Sequence, residues 1–169
     1  MKLVPIVFLL ALSMFVHGGD MEIQPPRAFP TLETLVGKAD LVLRCRAEDV
    51  RGKRRWRVVE AIKGEYRPKM FDQEIPGFIS RTGTVTLANP LRQSNRTTKH
   101  AEEIVFIRRQ HLHSAEDNQW HDLYYADESF PVVADRIVYP KTVLWNHTTG
   151  SVERVFSLAE FNTAIKAVR

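Results

Sequence analysis

Three of the chain's six histidines, His111, His113 and His121, lie close together, with His100 and Asp122 nearby. In an extended backbone His111 and His113 would share a face. Zinc takes imidazole and carboxylate ligands, so these three histidines are the residues of a metal-binding protein or a metal-dependent hydrolase, if the chain is one. Against that, His111 and His113 sit at the start of a polar segment, Gln110 to Asn118, where solvated loop histidines are the ordinary case. Other catalytic patterns are missing. There is no GxSxG, HExxH or phosphate-binding loop motif. Ser80, Ser94 and Ser129 stand in no local signature. Glu102 and Glu103 are adjacent, and a strand sends neighbours to opposite faces, so they are no acid–base pair. The sequence therefore argues for no catalysis and implies no cofactor.

The second chemical feature is cationic. Arg44, Arg46, Arg51, Lys53, Arg54, Arg55 and Arg57 are opposed locally by only Glu48 and Asp49, and Trp56 stands among them. The whole chain carries a formal charge of +4, so this one stretch holds more positive charge than the net excess. Basic strands with an aromatic residue bind polyanions, and Arg51, Lys53, Arg54, Arg55, Trp56 and Arg57 are the candidate binding residues. The competing reading is a solvated hairpin whose charges keep an edge strand from aggregating. The chemistry selects an anionic polysaccharide, a lipid head group or an acidic protein; export, argued next, speaks against nucleic acid.

Lys2 precedes the apolar run Leu3 to Val16, after which polarity returns at His17, Gly18, Gly19 and Asp20. The run is shorter than the roughly 20 residues that span a bilayer. A charged start, a brief apolar stretch and small residues after it form a secretory signal, with cleavage expected near Gly18 or Gly19. The alternative is retention as an anchor. No later stretch is apolar enough to span, so the mature chain is expected to be secreted or periplasmic. Two sequons, at Asn95 and Asn146, are glycosylation acceptors only in a eukaryotic source. Cys45 is the one cysteine, which excludes an intrachain disulfide.

These residues need elements to position them. A composition of 44% hydrophobic and 26% charged residues over 169 positions fits one globular domain. The expected organisation is a signal at 1–19, a Pro-rich arm at 20–30 and a domain at 31–169. Thr31 can cap a short helix carrying Leu32, Leu35 and Val36 on one face. Leu41, Leu43, Cys45 and Ala47 alternate with Val42, Arg44, Arg46 and Glu48 as a half-buried strand, which puts Cys45 on the apolar face and Arg44 and Arg46 on the other. Residues 51–54 make a turn into a returning strand through Trp56, Val58, Glu60 and Ile62. Further strands are expected at Met70–Ile75, Thr84–Leu87, Glu103–Arg108, Trp120–Tyr125 and Arg136–Tyr139, with polar loops at Ala88–Ala101 and Gln110–Asn118. The aromatic group Trp120, Tyr124, Tyr125, Phe130, Tyr139, Trp145 and Phe156 can line a groove or fill a core. Ser157-Leu158-Ala159-Glu160 is a capping box that opens a final helix with Phe161, Ile165 and Val168 on its apolar stripe. Short strands with terminal helices predict a mainly β fold, a small antiparallel OB-like barrel.

The order Leu35-Val36-Gly37-Lys38-Ala39-Asp40-Leu41-Val42-Leu43, then Val58-Val59-Glu60-Ala61-Ile62-Lys63-Gly64, then Glu102-Glu103-Ile104-Val105-Phe106-Ile107, resembles a class of small secreted bacterial proteins, mostly uncharacterised. It is also similar to the N-terminal domain of tissue inhibitors of metalloproteinases and to netrin-like modules, which are OB-fold barrels. The resemblance spans roughly residues 31 to 110 and implies a fold. Protease inhibition is the function it would suggest by analogy. In those inhibitors an N-terminal cysteine chelates the protease zinc and disulfides brace the barrel; here the mature start has no cysteine and Cys45 has no partner within the chain.

Overall fold

A computed structural model describes residues 25–51, 53–72, 79–80, 83–84, 90–93, 101–144 and 149–168. The segment read as a signal, its cleavage positions, and Asn95 and Asn146 lie outside the described residues. The elements run β1 (Arg27–Ala28), α1 (Leu32–Lys38), β2 (Leu41–Val50), β3 (Lys53–Lys63), β4 (Ile79–Ser80), β5 (Gly83–Thr84), α2 (Pro90–Gln93), β6 (Glu102–Ser114), β7 (Gln119–Pro131), β8 (Arg136–Val143), β9 (Thr149–Ser157) and α3 (Leu158–Ala167). The fold is mainly β. One antiparallel sheet has the order β3-β2-β6-β7, a second has the order β1-β8-β9, and β4 pairs with β5. Among the described residues these sheets close into no barrel.

The centre of the larger sheet is buried on both faces, which is why Glu103 to Ile107 reads as an unbroken buried run. On one face Val42, Ile104, Phe106 and, from β7, Phe130 meet α1, α3 and the inner side of β8–β9 through Val36, Ile137, Tyr139, Phe156 and Phe161. Phe161 is fully buried and meets rings from four strands, Phe106, Phe130, Tyr139 and Phe156, with centroids 5.2 Å from Phe156 and 5.6 Å from Phe130. On the opposite face Leu43, Cys45, Val105 and Ile107 are covered by Phe71 and Leu91, with Trp56, Tyr66 and Met70 packed around them.

The helix signals hold. The Thr31 side chain accepts from the Thr34 N–H at the start of α1. Ser157 and Glu160 form the reciprocal capping box of α3. The motif behind the family resemblance is structural throughout. The Lys63 ammonium donates to the carbonyls of Val36 and Ala39, 2.5 and 2.7 Å away, and so caps the C-terminal end of α1. Asp40 accepts the Arg109 N–H at 2.7 Å. Gly64 adopts φ 78° beside the Asp40 carbonyl, where a side chain has no room.

Several expectations are corrected. Gln110–Asn118 is not a loop: β6 continues to Ser114, and only 115–118 turn. Its polar residues escaped recognition because the β6–β7 hairpin extends beyond both cores, so neither face needs to be apolar. Met70 and Phe71 lie in a turn, with Met70 N–H donating to the Arg67 carbonyl at 3.2 Å, rather than opening a strand; the remainder of that expected strand from residue 73 lies outside the described residues. Of Thr84–Leu87 only Thr84 is in a described strand. The loop from Ala88 includes the short helix α2. The strand β9 gives no apolar alternation to read, because Phe156 is its one buried side chain. Part of the Pro-rich arm is anchored: β1 pairs with β8, and the Tyr139 hydroxyl donates to the Pro30 carbonyl at 2.7 Å.

Candidate functional site

The β2–β3 hairpin places the basic cluster. Val50 pairs with Lys53, and the turn between them starts at Arg51 with φ 52°. Residues opposite one another in an antiparallel pair share a face. Arg46 stands opposite Arg57, Glu48 opposite Arg55, and Arg46 also opposite Glu102 of β6. Arg44, Arg46, Arg55 and Arg57 therefore share one face with three carboxylates, Glu48 and Glu60 of the hairpin and Glu102 of β6; Glu60, opposite Arg44, lies 3.1 Å from Lys166 Nζ. Glu102 binds both Arg44 and Arg46, the latter with Nη2 3.2 Å from Oε2. Arg57 Nε reaches Glu48 Oε1 at 2.6 Å, and Arg55 is exposed.

Burial raises the Glu102 carboxyl, but the hydrogen bonds and charges of Arg44 and Arg46 outweigh it and hold the group below its ordinary value. Arg44 is shifted up in turn, first by its hydrogen bond to Glu102. Four arginines stand against three carboxylates, one of which, Glu60, is engaged by Lys166, so the face keeps a surplus of guanidinium. A guanidinium fork matches carboxylate, sulfate and phosphate geometry. Arg44, Arg46 and Glu102 extend the site beyond the residues 51–57 singled out from sequence; strand alternation was the signal that could have included the two arginines.

Trp56 belongs elsewhere. It pairs with Ala47, on the face opposite Arg55 and Arg57, and its half-buried ring packs against the second core. It supports the hairpin rather than offering an aromatic platform among the arginines. Lys53 and Arg54 are placed by register opposite Val50 and Asp49.

The histidines are divided between two faces. His111 pairs with Asp122 and His113 with Trp120, whereas His121 pairs with Leu112 on the reverse face. His111 Nδ1 lies 2.6 Å from Asp122 Oδ1, and His121 Nε2 lies 2.7 Å from Asp117 Oδ2 in the turn. The ribbon thus assembles two separate His–Asp pairs. Among the described residues no group of three or more His, Cys, Asp or Glu side chains is arranged to hold a metal ion.

Cys45 is buried, and burial, reinforced by the nearby Glu103 charge, pushes its thiol up to about 12. A thiol so shifted is not a nucleophile at neutral pH. Among the described residues no helix is long and apolar enough to cross a membrane.

Comparison with protein-family models, with curated proteins and with solved structures gave no match to this chain.

Proposed function

We propose that the protein is an exported, non-enzymatic binding module that holds an anionic polysaccharide on the arginine face of its β2–β3 hairpin. The observation that carries this reading is the placement of Arg46 directly opposite Arg57. Like charges in register destabilise a sheet. The two flanking carboxylates relieve that repulsion in part, and a sulfate- or uronate-bearing chain would relieve the rest. The face lies on the antiparallel β2–β3 hairpin, whose strand β2 is paired to β6 as far as Arg46. A flexible lipid surface or an acidic protein would meet the same charges; the repeated anions of a polysaccharide best match arginines spaced along two strands.

Export rests on the charged start, the apolar run Leu3–Val16 and the small residues that follow. The OB-like barrel is the architectural part of this proposal. Its support is a shared core beneath both sheets, with α3 packed against β3, β8 and β9.

The test is retention on immobilised heparin over a salt series, repeated after competition with anionic vesicles. Retention that falls steeply with salt, drops on charge removal at Arg55 and Arg57, and survives vesicle competition supports the proposal. Retention insensitive to both salt and these substitutions contradicts it.

A further inference from the structure

The strands β6 and β7 carry a second polar surface, on the face opposite the arginines. Arg109 pairs with Tyr124, His111 with Asp122 and His113 with Trp120, so these six side chains lie in rows on one side of the ribbon. At the inner end is a cleft of about 410 Å³, lined by Asp40, Glu65, Arg67, Arg109, Asp122 and Tyr124 among others. At the outer end stands Trp120, 70% exposed. Its ring meets His113 edge-on, with centroids 5.3 Å apart.

The polar groups of this surface are fixed against one another. Asp122 accepts from the Tyr124 hydroxyl at 3.4 Å, contacts His111 at 2.6 Å and lies 3.8 Å from Arg109 Nη1. Glu65 holds Arg67 through two contacts, at 3.1 and 3.0 Å. The Arg109 backbone is held by Asp40. Carboxylates and guanidiniums are nearly balanced here, so the cleft does not select an anion. Donors and acceptors are interleaved, as hydroxyl groups require. An exposed tryptophan beside them offers an apolar face to the C–H surface of a ring. From Trp120 to Tyr124 the strand advances about 14 Å, the reach of a short oligosaccharide.

We propose that this ribbon face is a binding site for a neutral oligosaccharide, with Trp120 as its stacking platform and Asp122, His111 and Arg109 as hydroxyl partners. The site is independent of the arginine face, and the two respond differently to salt. Binding here depends on hydrogen bonds and ring stacking and should persist at high ionic strength, whereas binding at the hairpin must weaken.

The experiment titrates the full chain with cellotetraose, xylotetraose, mannotetraose, maltotetraose and chitotetraose, following tryptophan fluorescence and ligand-observed NMR at low and high salt. One of these sugars should bind with an affinity unchanged by salt. Trp120→Ala and Asp122→Asn should each weaken it about tenfold or more, while thermal melts match the parent and Arg57→Gln has no effect. Failure of every sugar to bind overturns the proposal, as does binding that survives both substitutions. A sugar response that follows Arg57→Gln and salt would move the site to the hairpin and overturn it as well.

Discussion

Arg46 and Arg57 stand opposite one another across the β2–β3 ladder, and each leans on a different carboxylate, Arg46 on Glu102 and Arg57 on Glu48. The register sets two exposed arginines opposite one another, each drawn to its own carboxylate. Substituting Arg57 with Gln removes an unfavourable cross-strand pair along with an exposed ion pair, two terms of similar size and opposite sign. Stability should change by less than about 0.5 kcal/mol, while heparin retention shifts to clearly lower salt. Thermal denaturation and retention measured on the same preparation check both halves of this expectation.

Glu102 links the site to pH. Its folded pKa lies below the ordinary 4.5, so the folded state favours the carboxylate. This contribution to stability is present above the unfolded value and is lost as pH falls through the folded one. Acid denaturation should therefore steepen below about pH 4.5. In Arg46→Gln that dependence should be shallower, since one of the two hydrogen-bonding guanidiniums is gone. Chemical denaturation at a series of acidic pH values reads the difference.

Cys45 gives the opposite alkaline behaviour. Its folded pKa is raised to about 12 from an ordinary 9.0, so the folded state keeps the proton while the unfolded state releases it. Stability should decline as pH rises above 9, by roughly 1.4 kcal/mol per unit from this group. Cys45→Ala should flatten that decline. A thiol reagent should label Cys45 only on unfolding, and rapid labelling of the native protein at neutral pH would contradict its placement.

Phe161 binds the helix α3 to both sheets. Truncation to Ala removes a fully buried ring from contact with Phe106, Phe130, Tyr139 and Phe156. The expected loss is about 3–5 kcal/mol, measured by denaturant unfolding.

Gly64→Ala tests the joint between β3 and the start of β2. A methyl group there would strike the Asp40 carbonyl and stand 2.7 Å from Leu41 Cδ2, at φ 78°. The substitution should destabilise by more than about 1 kcal/mol. An unchanged melting temperature would argue against the close approach.

What the sequence disclosed followed where apolar and polar residues alternate. The alternation from Leu41 to Ala47 placed Cys45 inward and Arg44 and Arg46 outward, and both helix caps were legible because capping depends on local chemistry. Strands without an apolar face escaped: His111 and His113 read as loop residues because they are exposed and their neighbours along the strand are mostly polar. The division of the histidines was equally hidden. It depends on a register in which Leu112, not His111 or His113, faces His121. Trp56 was misjudged for the reverse reason, since nearness in sequence to Arg55 and Arg57 puts it on the opposite face of a strand. Glu102 could not be joined to Arg44 and Arg46 without knowing that β6 pairs with β2.

Polyanion binding at the arginine face is read out by the affinity of the protein for a sulfated oligosaccharide of fixed length as a function of salt. Binding should weaken steadily as salt rises. A double substitution, Arg55→Gln with Arg57→Gln, should both lower the affinity and flatten that dependence, with the fold intact by circular dichroism. Affinity and salt dependence unchanged by the double substitution would contradict the assignment of this face.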